Sequence, residues 1–543
     1  METQKYDVIV IGSGIGGLTT AALLAKLNKK KVLVIEKHWV PGGQTHVFHR
    51  KGKYKWDVGI HYVPGLGENE VPREIMDYIT DGKLKWNKLP YEFDRFIYPD
   101  LTFDVPADKT DYINRLVALF PDEEKAIRKY FKDMAKVTRW ASIHIAGKVM
   151  PKIAKLLASI ITISGKKKAL STTGEYLNSH FKNEKLKALL ATIWGDYGLP
   201  PAKSAFAIHC MVSQAYFDGA YYPVGGGKSI AASIKPVIEK YGGKCLLNTE
   251  VTGLMTEHDK AIGVKVRNVK GNSKEEYEIY APVIYSNIGA YSTFKFLLKD
   301  YTKPAELRSL EEMQTGDSAV SLYVGLNCDP TKMGFSGKNV WICGGYDHDK
   351  IQKENDVITE PKTCFLSFPS LKSKDGYNHT AEIISFVNYD TFKKWENSEW
   401  RGRDEVYYKL KETISNNLIN LVEKHFTGFK DMVSYTELST PLTMKSFVNW
   451  NKGMYNGIPA TPERYKLKFL QPRTPVKNFY LTGCDISSLG IIGAMMGGVA
   501  AASQQNGALG FFKIITTVKK EKSNALKERK HGLKELEPAI SAV

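Results

Sequence analysis

The chain has 543 residues, of which 43% are hydrophobic and 25% are charged. This composition excludes the disordered and collagen-like classes, and the length predicts about two to four folding units. The 76 lysines and arginines exceed the 58 acidic residues, so the net charge of +18 favours an anionic partner such as a membrane surface or an acidic substrate.

The first residues follow the order strand, glycine-rich turn, helix, strand. Tyr6–Ile11 is an apolar run of strand length, and Leu18–Leu27 has the composition of a helix. A second strand, Lys31–Ile35, ends in Glu36. This order predicts a βαβ unit that binds a dinucleotide, whereas a fortuitous glycine-rich turn would leave the terminal acid unexplained.

The turn of this unit is a G-x-G-x-x-G motif. Gly12 permits a tight turn, Gly14 lets the backbone approach a pyrophosphate, and Gly17 lets the helix pack closely on the strand. The N-terminus of the helix offers N–H groups and a partial positive charge to the same pyrophosphate. Glu36 is expected to accept hydrogen bonds from an adenosine ribose.

Two further motifs favour FAD over NAD. Gly42-Gly43-Gln44-Thr45 follows Glu36, and Asp57-Val58-Gly59 comes shortly after it. The pattern resembles the amine-oxidase and phytoene-desaturase superfamily of flavoproteins, in which these elements lie along the FAD. Asp57 is expected to be a structural hydrogen-bond anchor rather than a base.

The C-terminal part supplies a third element of this resemblance. A strand at residues 478–482 leads into Gly483 and Asp485, and a glycine- and alanine-rich helix follows. The resemblance implies that Asp485 binds the ribityl or pyrophosphate region and that the N–H groups near Ile491 and Ile492 face the flavin ring. A membrane-spanning helix over residues 486–512 is the alternative, disfavoured by the low hydrophobicity.

The central segment resembles a narrower group of flavoproteins. Tyr222-Pro223-Val224-Gly225-Gly226 and Asp57-Val58-Gly59-Ile60-His61-Tyr62 are similar to segments of the retinol saturases (all-trans-retinol 13,14-reductases) and carotenoid isomerases. The strand predicted at Cys245–Val251 would bring the Val251 backbone to the adenine, and a hairpin is predicted at Ala261–Val269 and Glu275–Ile279. The residues that the motifs and the resemblance assign to FAD are Gly12, Gly14, Ile15, Gly16, Gly17, Glu36, Lys37, Gly42, Gly43, Gln44, Thr45, Val251, Gly483, Asp485, Ile491 and Ile492.

The resemblance implies an α/β fold with a discontinuous Rossmann-type FAD-binding domain and a mixed α+β substrate domain, as in amine oxidases and phytoene desaturases. The predicted divisions are 1–72, 220–290 and 475–515 for FAD, 73–219 and 291–474 for substrate, and 516–543 for a polar tail.

The same resemblance implies an FAD-dependent oxidoreductase that saturates a double bond of an apolar polyene. His61 or Tyr62 would protonate one carbon, unless both only shape the pocket wall. Cis–trans isomerisation, desaturation and a non-catalytic prenyl-lipid carrier of the same fold remain open. The sequence has no second G-x-G-x-x-G motif for a nicotinamide cofactor, so NAD(P)H would bind transiently or a separate protein would donate electrons. No metal site or nucleic-acid module is predicted.

One segment favours contact with a membrane surface. Trp140–Ser164 combines an apolar face with lysines and reads as a helix lying among lipid headgroups, although packing on a domain core is the alternative. The start of the sequence lacks the pattern of a signal peptide. We therefore expect a peripheral membrane protein on the cytoplasmic side.

Overall fold

The computed structural model describes residues 5–270, 275–313, 317–448, 452, 454 and 456–540. Its strands are β1 Val8–Ile11, β2 Val32–Ile35, β3 Val47–Arg50, β4 Tyr54–Asp57, β5 Val63–Pro64, β6 Trp86–Lys88, β7 Glu92–Tyr98, β8 Leu101–Pro106, β9 Ala220–Pro223, β10 Lys244–Leu246, β11 Thr249–Glu257, β12 Lys260–Asn268, β13 Glu276–Tyr280, β14 Ile284–Ser286, β15 Asp317–Leu326, β16 Asn339–Cys343, β17 Thr363–Ser367, β18 Thr380–Asn388, β19 Val433–Ser439 and β20 Phe479–Leu481.

The helices surround and connect these strands. They are α1 Ile15–Asn28, α2 Val71–Ile79, α3 Lys109–Leu119, α4 Glu124–Ala146, α5 Lys152–Ile161, α6 Ile163–Ala169, α7 Thr173–His180, α8 Glu184–Ala191, α9 Trp194–Tyr197, α10 Phe206–Ala215, α11 Lys228–Lys240, α12 Ala290–Ser292, α13 Pro304–Glu312, α14 His348–Glu354, α15 Pro369–Ser373, α16 Glu405–His425, α17 Pro441–Val448, α18 Gly490–Ala502 and α19 Gly510–Ile540.

A parallel sheet with the strand order β10-β2-β1-β14-β20 forms the first layer. Ile9 of β1 pairs with Leu33 on one side and with Ile284 on the other. Both β1 and β2 are buried along their whole length, as expected for parallel strands covered on both faces. The sheet confirms the predicted βαβ unit and takes its strands from three separate stretches of sequence.

The predicted strand at Cys245–Val251 is wrong in one respect. The chain forms two strands there, because β10 joins the parallel sheet whereas β11 leaves it and pairs antiparallel with β12. Asn248, between them, has a φ of 53°, which turns the chain away from the first sheet. The predicted hairpin is confirmed as β12 and β13.

A second, larger sheet has the strand order β19-β15-β18-β17-β16-β7-β8. Its centre is antiparallel, with Leu322 of β15 opposite Ile383 of β18, whereas β7 and β16 are parallel. These strands come from the two stretches that the sequence assigns to a substrate domain. The exact domain boundaries stay a prediction.

The segment predicted as one membrane-contact helix forms the end of α4, the whole of α5 and the start of α6. Residues 140–146 belong to α4, which ends before Gly147, and α5 begins only after Pro151. Trp140 is buried, so the exposed apolar part starts at Ile153. The predicted polar tail lies mostly in α19, and residues 541–543 fall outside the described residues.

The alternative of a membrane-spanning segment at residues 486–512 finds no support. Here the chain forms α18, a helix of 13 residues, and most of its C-terminal half is buried in the protein. Within the part of the chain that the structure describes, no helix combines the length and the apolar character needed to cross a bilayer.

Candidate active site

The carboxylate of Glu36, at the end of β2, is held by the glycine-rich loop between β1 and α1. Ser13 donates to Oε2 from its backbone N–H at 2.8 Å and from its hydroxyl at 2.6 Å. The backbone N–H of His38 donates to Oε1 at 2.8 Å. An ionised carboxylate offers about four acceptor positions, so a ribose hydroxyl can still bind here.

The glycine-rich loop touches the turn formed by Gly42 and Gly43. The backbone N–H of Gly42 donates to Ser13 Oγ at 3.0 Å, and a Cβ added to Gly43 would lie 2.9 Å from the Cα of Gly14. Gly42 has a φ of 116°, which residues with side chains rarely adopt. The two motifs therefore form one backbone-lined cradle.

Asn287, which follows β14, lies against the same loop. A Cβ on Gly14 would lie 2.9 Å from Asn287 Nδ2, and a Cβ on Gly16 would lie 2.7 Å from Oδ1. Its backbone N–H donates to the carbonyl of Ile11 at 2.8 Å. A Cβ on Gly483 would meet the same side chain, so Asn287 packs between the first and last motifs.

Asp485 joins three distant segments. Its Oδ2 accepts the backbone N–H of Ala290 at 2.7 Å, and its Oδ1 accepts that of Ile458 at 2.9 Å. The residue is only 5% exposed. Its oxygens thus already hold the backbone around the cradle, and a direct contact with a cofactor stays a prediction.

Helix α18 starts beside this carboxylate. It begins after Leu489, whose apolar side chain cannot cap it. The N–H groups of the first turn of a helix have no partner inside that helix, and here they include those of Ile491 and Ile492. Both residues are half-buried. Helix α1 starts after Gly14, which likewise lacks a capping side chain.

Three of the motifs found in the sequence meet at Asp57. This fully buried carboxylate accepts the O–H of Tyr222 and the backbone N–H of Gly227. Burial raises its pKa. A Cβ on Gly227 would lie 2.8 Å from the carbonyl oxygen of Thr45, which shows how closely the segments approach. Asp57 is thus a hydrogen-bond anchor, as expected.

The remaining predicted cofactor residues flank this cradle. Gln44 packs against Gly59, where an added Cβ would lie 3.2 Å from the Cβ of Gln44. Val251 lies on β11 beside a register shift, and Lys37 Nζ contacts Glu250 Oε1 on the same strand at 2.7 Å. The backbone N–H of Thr249, where β11 starts, donates to the carbonyl of Glu36 at 2.9 Å.

His61 faces a buried acid rather than Tyr62. Its Nδ1 lies 2.8 Å from Oε2 of Glu382, which is fully buried. Burial raises the pKa of Glu382, and the nearby imidazole opposes this rise. Lys372 Nζ donates to the His61 carbonyl at 2.9 Å and to Ser367 Oγ at 2.7 Å, and burial lowers the pKa of this amine to about 7.

Tyr62 lies between two other acids. Its hydroxyl is 3.1 Å from Oδ2 of Asp94 and 3.0 Å from Oδ2 of Asp196. Burial is the main cause that raises the pKa of each carboxyl to about 7. Burial and the two carboxylates also raise the pKa of Tyr62 well above its usual value. The neighbouring ring of Tyr216 stacks on Tyr62 at 4.9 Å.

A narrow cavity opens beside this group. It has a volume of about 30 Å³, which is enough for water, and Asp94 and Tyr216 are among its lining residues. The rest of the lining is mostly apolar, including Phe93 and Phe217. Asp94 thus borders a water-sized space inside an apolar region.

Comparisons with known proteins identify the family. Residues 10–79 match the family described as an NAD(P)-binding Rossmann-like domain. Over 530 residues the chain is 32% identical to the all-trans-retinol 13,14-reductase of Danio rerio, covering 92% of this chain and 86% of that protein.

The chain belongs to the all-trans-retinol 13,14-reductase family.

Two further matches describe the range of this fold. A chloroplastic prolycopene isomerase from an Oncidium hybrid cultivar is 25% identical over 94% of this chain and 86% of its own. The solved structure of cyclohexylamine oxidase from Brevibacterium oxydans matches with a TM-score of 0.56 at 15% identity, covering 95% of this chain and 100% of that chain. The predicted fold class and the prediction of an oxidoreductase are confirmed.

The residues of this oxidoreductase fit a dinucleotide cofactor. The cradle is lined by backbone at Gly14 and Gly43, where an added Cβ would lie within 2.9 Å of a neighbour. Two uncapped helix starts and the Glu36 carboxylate surround it. These groups match the pyrophosphate, the flavin edge and the ribose that such a cofactor presents.

Several residues of the site escape sequence reasoning. Asn287, Asp94, Glu382 and Lys372 belong to none of the sequence motifs. Asp94 lies between Phe93 and Arg95 of β7 and pairs with residues more than 30 positions away. A buried charge inside a strand pattern is the one signal that marks Asp94 and Glu382 in advance.

Proposed function

We propose that the protein is an FAD-dependent reductase that saturates a carbon–carbon double bond of an apolar polyene of the retinoid or carotenoid kind. The observation that carries this proposal is the backbone-lined cradle with its two uncapped helix starts and Glu36, in a chain of the all-trans-retinol 13,14-reductase family. When bound, reduced FAD would supply a hydride to the substrate.

The chain's own residues would place this cofactor. The loop Gly12–Gly17 and the start of α1 would hold the pyrophosphate, and Glu36 would bind the adenosine ribose. Lys37 follows Glu36, Val251 lies on β11, whose first residue donates to the Glu36 carbonyl, and both would contact the adenosine. The N–H groups of Ile491 and Ile492 would stabilise negative charge at the flavin edge. Gly42–Thr45, Gly483 and Asp485 would enclose the remainder.

The acids that contact His61 and Tyr62 suit proton delivery. A double bond without an adjacent carbonyl cannot delocalise charge, so its reduction needs close positioning, a dry site and a proton donor. His61 faces Glu382, and Tyr62 faces Asp94 and Asp196. His61 and Tyr62 both remain proposed proton donors, and each contacts different carboxylates.

The surface around α5 supports a membrane location. Its apolar side chains are between 58% and 77% exposed, namely Ile153, Leu156, Leu157, Ile160, Ile161 and Ile163. Lys152, Lys155, Lys166 and Lys167 are exposed beside them. An apolar face bordered by lysines binds the headgroup region of an anionic bilayer, where an apolar polyene would be dissolved. We propose peripheral binding on the cytoplasmic side.

Lys148 does not belong to this exposed surface. The sequence places it among the membrane-facing lysines, but its Nζ donates to the backbone carbonyl of Ile486 at 3.2 Å. Burial lowers its pKa to about 7. Lys148 therefore connects the end of α4 to the segment before α18.

The electron donor would be NAD(P)H or a separate protein. The described sheet that binds a dinucleotide contains one G-x-G-x-x-G turn, which we assign to FAD. The net charge of +18 suits an acidic protein donor.

Isomerisation is the second candidate function, because one relative is named a prolycopene isomerase. An absorbance experiment on the purified protein distinguishes the candidates. Flavin bands that bleach with dithionite and return when a polyene is added anaerobically support the reductase. Bleached bands that persist while the polyene spectrum changes support the isomerase. No flavin, even after reconstitution with FAD, would reject both and favour a lipid carrier.

A further inference from the structure

We propose that Asp94 and Asp196 share one proton through Tyr62 and that this proton is the one added to the substrate double bond. The second half rests on the proposed function, because saturation needs a proton as well as a hydride. The first half concerns the protein alone and can be tested without cofactor or substrate.

The hydrogen-bond geometry requires an extra proton. The Tyr62 oxygen lies 3.1 Å from Asp94 Oδ2 and 3.0 Å from Asp196 Oδ2. A phenol carries one hydrogen and can donate it to one carboxylate only. The second contact is favourable only if that carboxyl carries a proton and donates it to the phenol oxygen. One proton for two acids satisfies both contacts.

The surroundings of Asp94 and Asp196 also favour one proton for the two acids. The amide of Asn339 donates to Asp94 Oδ1 at 3.0 Å, and Lys372 is the cation that acts on Asp94. Four tyrosines also act on the two acids, namely Tyr62, Tyr112, Tyr197 and Tyr216, and Tyr216 hydrogen-bonds to Asp196. Two buried like charges beside each other disfavour full ionisation.

Asp133 shows the opposite arrangement in the same protein. This buried acid lies 2.7 Å from Lys129 Nζ and 2.6 Å from Lys168 Nζ, and Tyr176 donates to it at 2.9 Å. These partners lower its pKa to about 2, so it is ionised at neutral pH. It therefore provides a matched control for the shared-proton pair.

The helix that carries Asp196 packs against the start of α18, which is the predicted flavin edge. Asp196 lies on α9, and its neighbour Trp194 packs in one apolar cluster with Leu489, the residue before α18. Asp196 is half-buried, whereas Asp94 is fully buried. Asp94 also lines the water-sized cavity, from which a lost proton would be replaced.

The proposed step adds a hydride and a proton to the two carbons of the double bond. The π bond of the substrate breaks, one carbon forms a C–H bond with the hydride from the reduced flavin, and the other forms a C–H bond with the shared proton. The substrate gains two electrons, which the flavin loses. The pair becomes doubly ionised and recovers its proton from water. Tyr62 passes the proton and ends the step as a neutral phenol.

Infrared spectroscopy of the cofactor-free protein tests the shared proton. A protonated carboxylic acid has a C=O band distinct from that of a carboxylate. We expect such a band to titrate near pH 7 in the wild type, apart from any band that the buried acids Asp57 and Glu382 contribute. In Asp94→Asn and Asp196→Asn its midpoint should fall by about one pH unit or more, because the like charge is gone. Asp133→Asn should leave the band unchanged. A wild type without the band at pH 6, or variants with an unchanged midpoint, would overturn the pair.

Kinetics test the role of the proton. This assay uses the FAD-loaded enzyme and measures saturation of a polyene. The variants Asp196→Asn and Tyr62→Phe should each lower kcat at least about 100-fold. Both should also lose the alkaline limb of the pH profile, which is the fall in kcat at high pH. Flavin content and bleaching by dithionite should stay at the wild-type level, which shows that the variants fold. An unchanged alkaline limb in both variants would reject the pair as the proton source. A wild type that saturates no polyene would instead reject the proposed function, and the infrared result would stand alone.

Discussion

Gly16 of α1 and Gly483, just after β20, are in direct contact across the dinucleotide cradle. A Cβ on Gly16 would lie 2.6 Å from the Cα of Gly483 and 2.9 Å from the carbonyl oxygen of Ala494. Real Cβ atoms do not approach backbone so closely. The first and last motifs of the chain thus depend on each other at a point where neither can carry a side chain.

Gly16→Ala should therefore damage both the fold and the cofactor site. Overpacking of this kind costs about 1–3 kcal/mol, and the α1 start would move away from the pyrophosphate position. We expect a lower Tm and a lower flavin content in the purified protein. Gly402→Ala is the control, because its Cβ would be 3.6 Å from the nearest atoms, at Glu399. Equal flavin content in both variants would contradict the assigned cradle.

Glu36→Gln should weaken FAD binding without unfolding the protein. The carboxylate accepts two hydrogen bonds from Ser13 and one from the His38 N–H, and the neutral amide would repel one donor. Hydrogen bonds to charged groups contribute about 1.5–3 kcal/mol, so the Kd for FAD should rise by about 10-fold or more. Fluorescence titration of the apoprotein measures it. Glu354→Gln, which removes a surface partner of Lys362, is the control. An unchanged Kd would place the ribose elsewhere.

Asp196→Asn should change how stability depends on pH. The folded pKa of about 7 exceeds the ordinary value of 3.8. The folded protein therefore holds this proton more tightly, and the resulting stabilisation is complete below pH 3.8 and is lost as the pH rises through about 7. Asp94 keeps a proton in the variant, with a midpoint about one pH unit lower, so the wild type should lose about 1.4 kcal/mol relative to the variant between pH 5 and pH 8.

Urea midpoints at pH 5 and pH 8 measure this effect. Asp133→Asn is the reference, because the pKa of Asp133 lies near 2 and its difference from the wild type should be the same at both pH values. If the stability of Asp196→Asn also differs from that of the wild type by the same amount at pH 5 and pH 8, Asp196 is ionised at both pH values.

His61→Gln separates the two proposed proton donors. His61 contacts Glu382 and not the carboxylates around Tyr62. If the proton comes from the Asp94–Asp196 pair, this variant should keep the alkaline limb of the pH profile even where kcat falls. A lost limb in His61→Gln with a retained limb in Tyr62→Phe would assign the proton to the imidazole.

The double variant Ile153→Glu with Leu157→Glu should release the protein from membranes. Both side chains are exposed on α5, at 77% and 58%, and burying each in lipid contributes about 1.5–3 kcal/mol. We expect at least a tenfold weaker affinity for vesicles of phosphatidylcholine with phosphatidylserine. Val406→Glu, which changes another exposed apolar residue at 56%, should bind as the wild type does. Equal binding of both variants would exclude α5 as the contact.

The cofactor cradle was predictable because its determinants are local. Gly12, Gly14 and Gly17 define a turn within six residues, and Glu36 ends the next strand. Their spacing alone predicts a tight turn, a close approach of the backbone to a pyrophosphate and close packing of the helix on the strand. The same holds for Gly42 and Gly43, and Gly42 has a φ of 116°, which residues with side chains rarely adopt.

The proton pair was not predictable for the opposite reason. Tyr62, Asp94 and Asp196 lie on a loop, a strand of the second sheet and a short helix, and only the packing of these elements brings them together. The split of Cys245–Val251 has a similar cause. An apolar run shows that strand is favoured, but only Asn248 and the partner strands decide which sheet receives it.

The strand order of the first sheet also bears on how the protein is made. β1 is among the first elements to leave the ribosome, but β20 at Phe479–Leu481 is needed to complete the sheet beside β14. Hundreds of residues must be synthesised before this edge can close, and contacts so distant in sequence slow folding. The apolar edge of β14 therefore stays without its partner during synthesis. We expect loading with FAD to follow release of the nearly complete chain, and the nascent protein to depend on chaperones until then.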